Sequence, residues 1–207
     1  MATGPLLIVE DVVNILDFLE VTLKFKGYEV LRARNGLEAL EVIATTRPAL
    51  IVTDILMPKM DGFSLVHRLR ADPATRDIPV VFLSATYVAP EDKAFAMHIG
   101  ATRFIEKPID TEEFLLTVAE LLTQEPPPPP EPLKEREFFE GYRRQLEIKL
   151  RQKSTQIVRA ERLIETLPME QKPGFVTLRQ QSINDRDEIQ AELDHIKEYL
   201  EQNQFPI

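Results

Sequence analysis

The sequence has 207 residues, 43 % of them hydrophobic, which is enough for one domain with an extension. Acidic residues outnumber basic ones by 34 to 25, a balance that disfavours nucleic-acid binding as the main role because attraction to phosphate needs a basic surface. The sequence has no cysteine, which excludes disulfides, zinc sites with thiolate ligands and cysteine nucleophiles.

Short apolar runs alternate with helical patterns from the N-terminus to about residue 125. The runs are continuous, which is typical of strands covered on both faces. Five strands that alternate with five helices predict an α/β fold with a doubly wound five-stranded parallel sheet. The predicted strands cover residues 6–9, 28–31, 49–53, 79–83 and 102–105, and the predicted helices cover residues 12–25, 36–45, 62–71, 91–99 and 111–122.

Polar residues follow four of the five predicted strands. Because the carboxyl ends of parallel strands meet at one edge of a sheet, we expect these side chains to gather there. Three carboxylates, a hydroxyl and an ammonium suit a hard cation such as Mg²⁺ together with a phosphoryl group. The simpler alternative, that strand ends are polar because they meet solvent, stays open for any single residue. The set is Glu10, Asp11, Asp54, Ser84 and Lys107.

Short motifs stand at these strand ends in order. The pair Glu10-Asp11 is followed by Asp54 to Gly62, which reads DILMPKMDG, and then by Ser84-Ala85, Gly100-Ala101 and Lys107-Pro108. Each motif alone is weak, but the order and spacing together are specific. On these motifs, residues 4–122 resemble the response regulator receiver domain of two-component signalling, which has a flavodoxin-like fold.

The resemblance implies that Asp54 accepts a phosphoryl group from the phosphohistidine of a histidine kinase or phosphotransfer protein. It implies that Mg²⁺ is bound by Asp11, by Asp54 and by the backbone carbonyl of Leu56, with Glu10 acting largely through water. A protein of this family is not an enzyme beyond its own phosphorylation and dephosphorylation.

The resemblance also assigns roles to residues on the last two strands. Lys107 would pair with the acyl phosphate, and Ser84 would donate its hydroxyl to a phosphoryl oxygen. Phe104 occupies the family's aromatic switch position and would repack when Ser84 moves inward, although simple core packing is an alternative reading. A cis peptide is expected between Lys107 and Pro108, because an X-Pro bond makes the cis form accessible.

The composition changes at Pro126. Five consecutive prolines and then Glu131-Pro132 predict a stiff polyproline II spacer of roughly 20 Å, at about 3.1 Å per residue. We therefore divide the chain into a receiver domain at residues 1–125, a linker at 126–132 and a helical region at 133–207.

The helical region is predicted to form an antiparallel hairpin. Apolar residues step by three and four over residues 138–167, and a break follows from Leu167 to Gly174. A second helix carries an a/d pattern at Ile189, Leu193, Ile196 and Leu200. Two helices alone bury little apolar area, so we expect a homodimer through residues 133–207 or an unidentified protein partner. A single dynamic hairpin is the alternative.

Two further functions are weighed against this interpretation. Residues 143–162 hold seven basic residues against Glu147 and Glu161, so a transcriptional or RNA-binding role is the alternative output. A solvated helix flank neutralised by the acidic second helix explains the same run, and nucleic acid is the less favoured partner. His195 invites a phosphorelay role, but its neighbours do not match phosphotransfer motifs.

Neither a membrane span nor a secretory signal is predicted. The longest stretch without a charge, Ile78–Pro90, has 13 residues, which is too short to cross a bilayer. Glu10 and Asp11 follow the first apolar run with no cationic region before them. We therefore expect a cytoplasmic protein with no membrane partner.

Overall fold

The computed structural model describes residues 4–84, 90–124 and 130–202, with the backbone alone for residues 90–92. These residues fall into two compact units that divide between Leu133 and Lys134. Ala85 of the Ser84-Ala85 motif and residues 126–129 of the predicted proline spacer lie outside the described ranges, so the polyproline II segment stays a prediction.

The N-terminal unit is a five-stranded sheet with the strand order β2-β1-β3-β4-β5, in which every pairing is parallel. The predicted doubly wound α/β fold is therefore confirmed. Its strands and helices, in chain order, are β1 (Leu6–Val9), α1 (Val13–Phe25), β2 (Val30–Ala33), α2 (Gly36–Thr45), β3 (Leu50–Asp54), α3 (Gly62–Ala71), β4 (Val80–Ser84), α4 (Pro90–His98), β5 (Arg103–Glu106) and α5 (Thr111–Thr123).

Helices cover both faces of this sheet. Strands β1, β3 and β4 are buried along their whole length, as their continuous apolar sequences predict. Helices α1 and α5 pack on one face, where Leu19 and Phe114 join Ile8 and Val52 in one apolar cluster. On the other face Phe63 of α3 packs edge-on against the ring of Phe82, with the ring centroids 5.4 Å apart.

Strand β2 differs most from its prediction, because it starts at Val30 instead of residue 28. Tyr28 instead belongs to the turn after α1, where its N–H donates to the Leu23 carbonyl at 3.2 Å. The strand lies at the edge of the sheet, and its Arg32 is exposed and pairs with Asp17 and Glu20 of α1. An edge strand that meets solvent lacks the continuous apolar run that marks the central strands.

The C-terminal unit is a pair of long helices, α6 (Glu135–Thr166) and α7 (Lys172–Gln202), joined by a short 3-10 turn at Met169–Gln171. Its inner surface, called the hairpin seam below, buries apolar side chains from both helices. The Phe139 and Tyr199 rings are 4.5 Å apart, and Lys153 Nζ lies 2.6 Å from Asp185 Oδ2. The buried seam residues are Phe138, Tyr142, Leu146, Ile157 and Ala160 of α6 and Ile189, Leu193, Ile196 and Leu200 of α7.

The break between the two helices is shorter than the sequence indicates. The predicted break extends to Gly174, whereas α7 already begins at Lys172. Pro173 and Gly174 therefore lie in the first turn of the helix. Proline is tolerated there because the first backbone N–H groups of a helix have no intrahelical partner to lose.

Within the described ranges, neither the long helices α6 and α7 nor any other helix has an apolar stretch that could span a bilayer.

Candidate functional site

The sheet brings the predicted site residues to one edge. Glu10 follows β1 directly, Asp54 is the last residue of β3, and Ser84 is the last residue of β4. Strands β1 and β4 both pair with β3, so Asp54 lies between the ends of its two neighbours. Lys107 follows β5, and its backbone N–H donates to the Ser84 carbonyl at 2.5 Å. Each of these side chains is thus positioned by a strand end, and each strand is held in place by its hydrogen bonds to neighbouring strands.

Three carboxylates converge at this edge. One oxygen from each of Glu10, Asp11 and Asp54 lies within 4.8 Å of the others. Glu10 is 0 % exposed and Asp54 is 9 % exposed, while Asp11 is half-buried. Buried like charges this close repel one another unless a cation lies between them.

Lys107 supplies a cation from the protein itself. Its Nζ donates to Glu10 Oε2 and to Asp54 Oδ1, each at 2.7 Å. The peptide bond between Lys107 and Pro108 is cis. The Lys107 ammonium thus bridges Glu10 after β1 and Asp54 at the end of β3.

The balance of burial and charge sets the ionisation of these groups. Burial, followed by the nearby charge of Asp54, raises the pKa of Glu10 above its usual value. Burial also raises the pKa of Asp54, against the opposing pull of Lys107. Burial lowers the pKa of the Lys107 ammonium, but Asp54 and Glu10 outweigh it and leave that pKa raised. A divalent cation bound between the two carboxyls would favour their charged forms.

The loop from Ile55 to Asp61 holds Asp54 from the other side. The Leu56 N–H donates to Asp54 Oδ2 at 3.1 Å, and the Gly62 N–H donates to the Ile55 carbonyl at 2.8 Å. A Cβ on Gly62 would come within 2.3 Å of the Asp54 carbonyl oxygen, so only glycine fits there. Asp61 caps α3 through the N–H groups of Phe63 and Ser64.

The two predicted switch residues lie on neighbouring strands. Ser84 is buried at the end of β4, while Phe104 on β5 is half-buried and pairs in register with Phe82. Lys93 of α4 places its Nζ 6.0 Å from the centroid of the Phe104 ring. Nothing in the sequence spacing of the two residues could have predicted this cation–π contact.

The donor set fits Mg²⁺. Hard carboxylate and carbonyl oxygens are the ligands that Mg²⁺ prefers, and three carboxylates from two strand ends supply them here. Leu56 belongs to the same loop, and its N–H already lies against Asp54. Burial raises the pKa of both Glu10 and Asp54, so a divalent cation bound between them would offset the cost of burying their charges.

Sequence reasoning missed two buried contacts: one lies at the amino ends of β4 and β5, at the opposite edge of the sheet, and the other lies against the loop after Asp54. Arg70 of α3 is buried, and its guanidinium donates to the Gly100 carbonyl at 2.7 and 3.0 Å and to the Ile78 carbonyl at 3.0 Å. Gly36 lies against Met60 in the loop after Asp54. The positive φ of Gly100 and the Gly-Met pairing leave no periodic signal, so only the folded chain reveals them.

The strand order, with acidic residues gathered at one edge of the sheet, is that of the CheY-like receiver fold. The profile of the response regulator receiver domain matches residues 6–119, more than half of the chain, and the chain belongs to that family. Receiver domains serve phosphoacceptor signalling, bind Mg²⁺ through an acidic cluster, and pair with histidine kinases or phosphotransfer proteins. The extension after residue 119 is not covered by this match.

Known proteins resemble the same part of the chain. The DNA-binding dual master transcriptional regulator RpaA of Synechocystis is 38 % identical over 117 residues, which cover 56 % of this chain and 48 % of RpaA. This chain therefore matches about half the length of that relative.

Two solved structures share the fold. A signal receiver domain of a histidine kinase from Syntrophus aciditrophicus is 38 % identical, with a TM-score of 0.55, and covers 58 % of this chain and 91 % of its own. The chemotaxis response regulator CheY4 of Vibrio cholerae is 33 % identical, with a TM-score of 0.54, and covers 58 % and 99 %.

Proposed function

We propose that this chain is a cytoplasmic response regulator whose Asp54 accepts a phosphoryl group from a phosphohistidine. A carboxylate oxygen of Asp54 attacks phosphorus, the P–N bond to the imidazole breaks, and the imidazole leaves to take up a proton. Water later attacks the acyl phosphate and releases inorganic phosphate, which regenerates the carboxylate. Catalysis of this transfer consists mainly of positioning and charge stabilisation.

Glu10, Asp11, Asp54 and the Leu56 carbonyl would hold Mg²⁺, with Glu10 acting largely through water. The bound ion supplies charge neutralisation for the phosphoryl oxygens. Lys107 moves from bridging two carboxylates to pairing with the new phosphoryl group, because phosphorylation replaces a carboxylate charge with a larger negative charge. The Ser84 hydroxyl, buried one strand away, donates to a phosphoryl oxygen.

The single observation that carries this proposal is the convergence of three carboxylates within 4.8 Å of one another. The Lys107 ammonium bridges two of them, Glu10 and Asp54, at 2.7 Å each. Incubation with a small phosphodonor such as phosphoramidate and Mg²⁺ should add one phosphoryl group, read by intact mass. Asp54→Asn should abolish the added mass, and Asp11→Asn should require far more Mg²⁺. Asp17→Asn, an exposed carboxylate of the same unit, is the matched control. Full phosphorylation of Asp54→Asn would refute the assignment.

The output that we propose is association through the helical region at 133–207, with residues 1–125 as the receiver and 126–132 as a linker. Phosphorylation would draw Ser84 inward and let Phe104 repack, which shifts α4, β5 and α5 between two arrangements. Two-helix units gain stability when a second hairpin completes a bundle, which supports a helical association element. Apolar side chains that the hairpin seam leaves exposed, such as Val158, Leu163 and Leu178, are available for such packing.

Light-scattering mass with and without Mg²⁺ plus beryllofluoride tests this output on the wild type and Asp54→Ala. A mass change in the wild type alone supports association as the phosphorylation output. A constant dimer in all four samples assigns permanent dimerisation to the hairpin and rejects switching. A constant monomer rejects self-association and favours docking of another protein.

A nucleic-acid output is the second candidate, because Arg144, Arg151, Arg159 and Arg162 are exposed on α6 and the relative RpaA is a DNA-binding regulator. The ion pair between Lys153 and Asp185 supports the first candidate instead, since α7 partly neutralises the basic helix. Fluorescence anisotropy with a labelled duplex distinguishes the two. Binding that weakens with salt and is lost on changing Arg144 and Arg151 to Gln would favour the nucleic-acid role.

A further inference from the structure

The loop after Asp54 contains a strained turn. Lys59 has a φ of 68°, the left-handed region that a lysine rarely adopts. The Met60 N–H donates to the Pro58 carbonyl at 2.8 Å, so the turn closes over a single central residue. A three-residue turn of this kind with a positive φ is rare and strained, and it persists only where its surroundings hold it.

Gly36, at the start of α2, holds the far side of this turn. Its N–H donates to the Met60 carbonyl at 2.9 Å. The Met60 side chain is 7 % exposed and lies so close to Gly36 that an added Cβ would stand 2.6 Å from Met60 Cγ and 2.9 Å from Sδ. The absence of a side chain at residue 36 is therefore what lets Met60 reach its place.

The corner that carries Gly36 is itself fixed. The Asn35 side chain accepts from the Glu38 N–H at 3.1 Å and donates to Glu38 Oε1 at 2.8 Å, while Glu38 Oε2 accepts from the Arg34 N–H at 3.0 Å. This reciprocal cap closes the first turn of α2. These hydrogen bonds fix the backbone at the start of α2, against which Met60 of the loop after Asp54 packs.

We propose that Gly36 is a positioning residue for the phosphoacceptor loop. It holds the strained turn at Met60, and through this loop it supports Leu56, whose N–H donates to Asp54 Oδ2 at 3.1 Å and whose carbonyl is a proposed Mg²⁺ ligand. The inference rests on the proposed phosphoacceptor function of Asp54. The three atoms nearest to a Cβ added at Gly36 all belong to Met60, so the effect of Gly36 on the site passes through the loop.

The intrinsic effect of alanine at residue 36 has the opposite sign. Gly36 is the first residue of α2 and has no positive φ, so alanine suits its backbone and favours the helix. Any loss caused by Gly36→Ala must therefore come from the contact with Met60. Met60→Ala removes Cγ and Sδ, the two atoms closest to the new Cβ, and leaves only Met60 Cβ at 3.0 Å.

A double-mutant cycle on the full-length protein tests the proposal, with Mg²⁺ affinity read by isothermal titration calorimetry. Gly36→Ala should weaken Mg²⁺ binding about tenfold in the wild-type background, the usual cost of disturbing a residue that supports a metal ligand. The same change in the Met60→Ala background should have a much smaller effect, because only Met60 Cβ, at 3.0 Å, remains near the new side chain. Gly174→Ala, where an added Cβ meets nothing within 4 Å, is the matched control.

Thermal melting of the same variants separates positioning from folding. Measurements are made well below the midpoint of unfolding, so a lower midpoint alone leaves the Mg²⁺ affinity of the folded protein unchanged. Wild-type affinity in Gly36→Ala, or an equal loss in both backgrounds, would overturn the proposal. Failure of the wild type to bind Mg²⁺ and to accept a phosphoryl group would instead reject the function on which the proposal rests.

Discussion

The two units of the chain bury their apolar residues in different ways. In the receiver unit, helices cover both faces of the sheet, and an apolar cluster fills the space between α1, α5 and the sheet. In the hairpin, one helix faces one helix, and the polar residues Gln145, Lys149 and Ser182 are buried among its apolar ones. A core enclosed on all sides yields more stability per residue than a single seam. We therefore expect the receiver to unfold as a strong cooperative unit and the hairpin to open more easily.

The largest expected effect is in the receiver core. Phe114 is fully buried in the apolar cluster, so Phe114→Ala should lower the free energy of unfolding by about 3–5 kcal/mol. Hydrogen exchange should show faster exchange in α5 and the strands, with α6 and α7 unchanged. Leu116→Ala on the exposed side of the same helix is the control. Equal acceleration in the hairpin would show that the two units unfold together.

A core change in the hairpin should cost less. Leu193→Ala removes a buried seam residue and should destabilise the hairpin by about 2–3 kcal/mol, the lower part of the usual range, because packing exists on one side only. Exchange should accelerate in α6 and α7 alone. Val176→Ala on the exposed surface of α7 should leave exchange unchanged. A cost as large as that of Phe114→Ala would contradict the comparison.

The buried guanidinium of Arg70 should show that the receiver also depends on polar contacts. Burial lowers the pKa of Arg70 to about 10. Three hydrogen bonds to the Gly100 and Ile78 carbonyls hold the buried guanidinium in place. Lysine cannot reproduce this forked geometry, so Arg70→Lys should cost about 2 kcal/mol in chemical denaturation. The exposed Arg68→Lys on the same helix should cost nothing measurable. Equal stability of the two variants would contradict the role given to the fork.

Mg²⁺ should stabilise one unit and not the other. At ten times its dissociation constant the ion should add about 1.4 kcal/mol to the receiver by mass action. The carboxylate cluster is the reason, since the ion offsets repulsion between buried charges. Exchange in the hairpin should not change, and Asp11→Asn should remove most of the gain in the receiver. Equal protection of α6 and α7 would mean that Mg²⁺ also acts outside the cluster.

The sequence predicted most of what lies on the central strands. Runs such as Leu6–Val9 and Leu50–Asp54 favour strands, because a strand buried on both faces is apolar along most of its length. The same argument gathers Glu10, Asp54 and Lys107 at one edge, where the structure also places them.

Contacts between distant backbones were beyond that reasoning. The packing of Met60 against Gly36 and the hydrogen bond from Arg70 to the Gly100 carbonyl depend on how closely segments that are distant in the sequence approach each other. No periodicity records such distances. The observed bounds of β2 differ from the predicted ones for a related reason, because the apolar pattern of this edge strand is too weak to mark where the strand begins and ends.

The far ends of α6 and α7 meet where the Tyr199 hydroxyl donates to the Glu135 carboxylate, 64 positions apart in the chain. During synthesis the hairpin therefore cannot close until almost all of α7 has left the ribosome. At about 5–20 residues per second, that delay lasts several seconds, long after the sheet is complete. Throughout it, Phe138, Tyr142 and Leu146 face water on each growing chain. An apolar helix surface that stays uncovered for this long is open to contacts other than those of the finished hairpin.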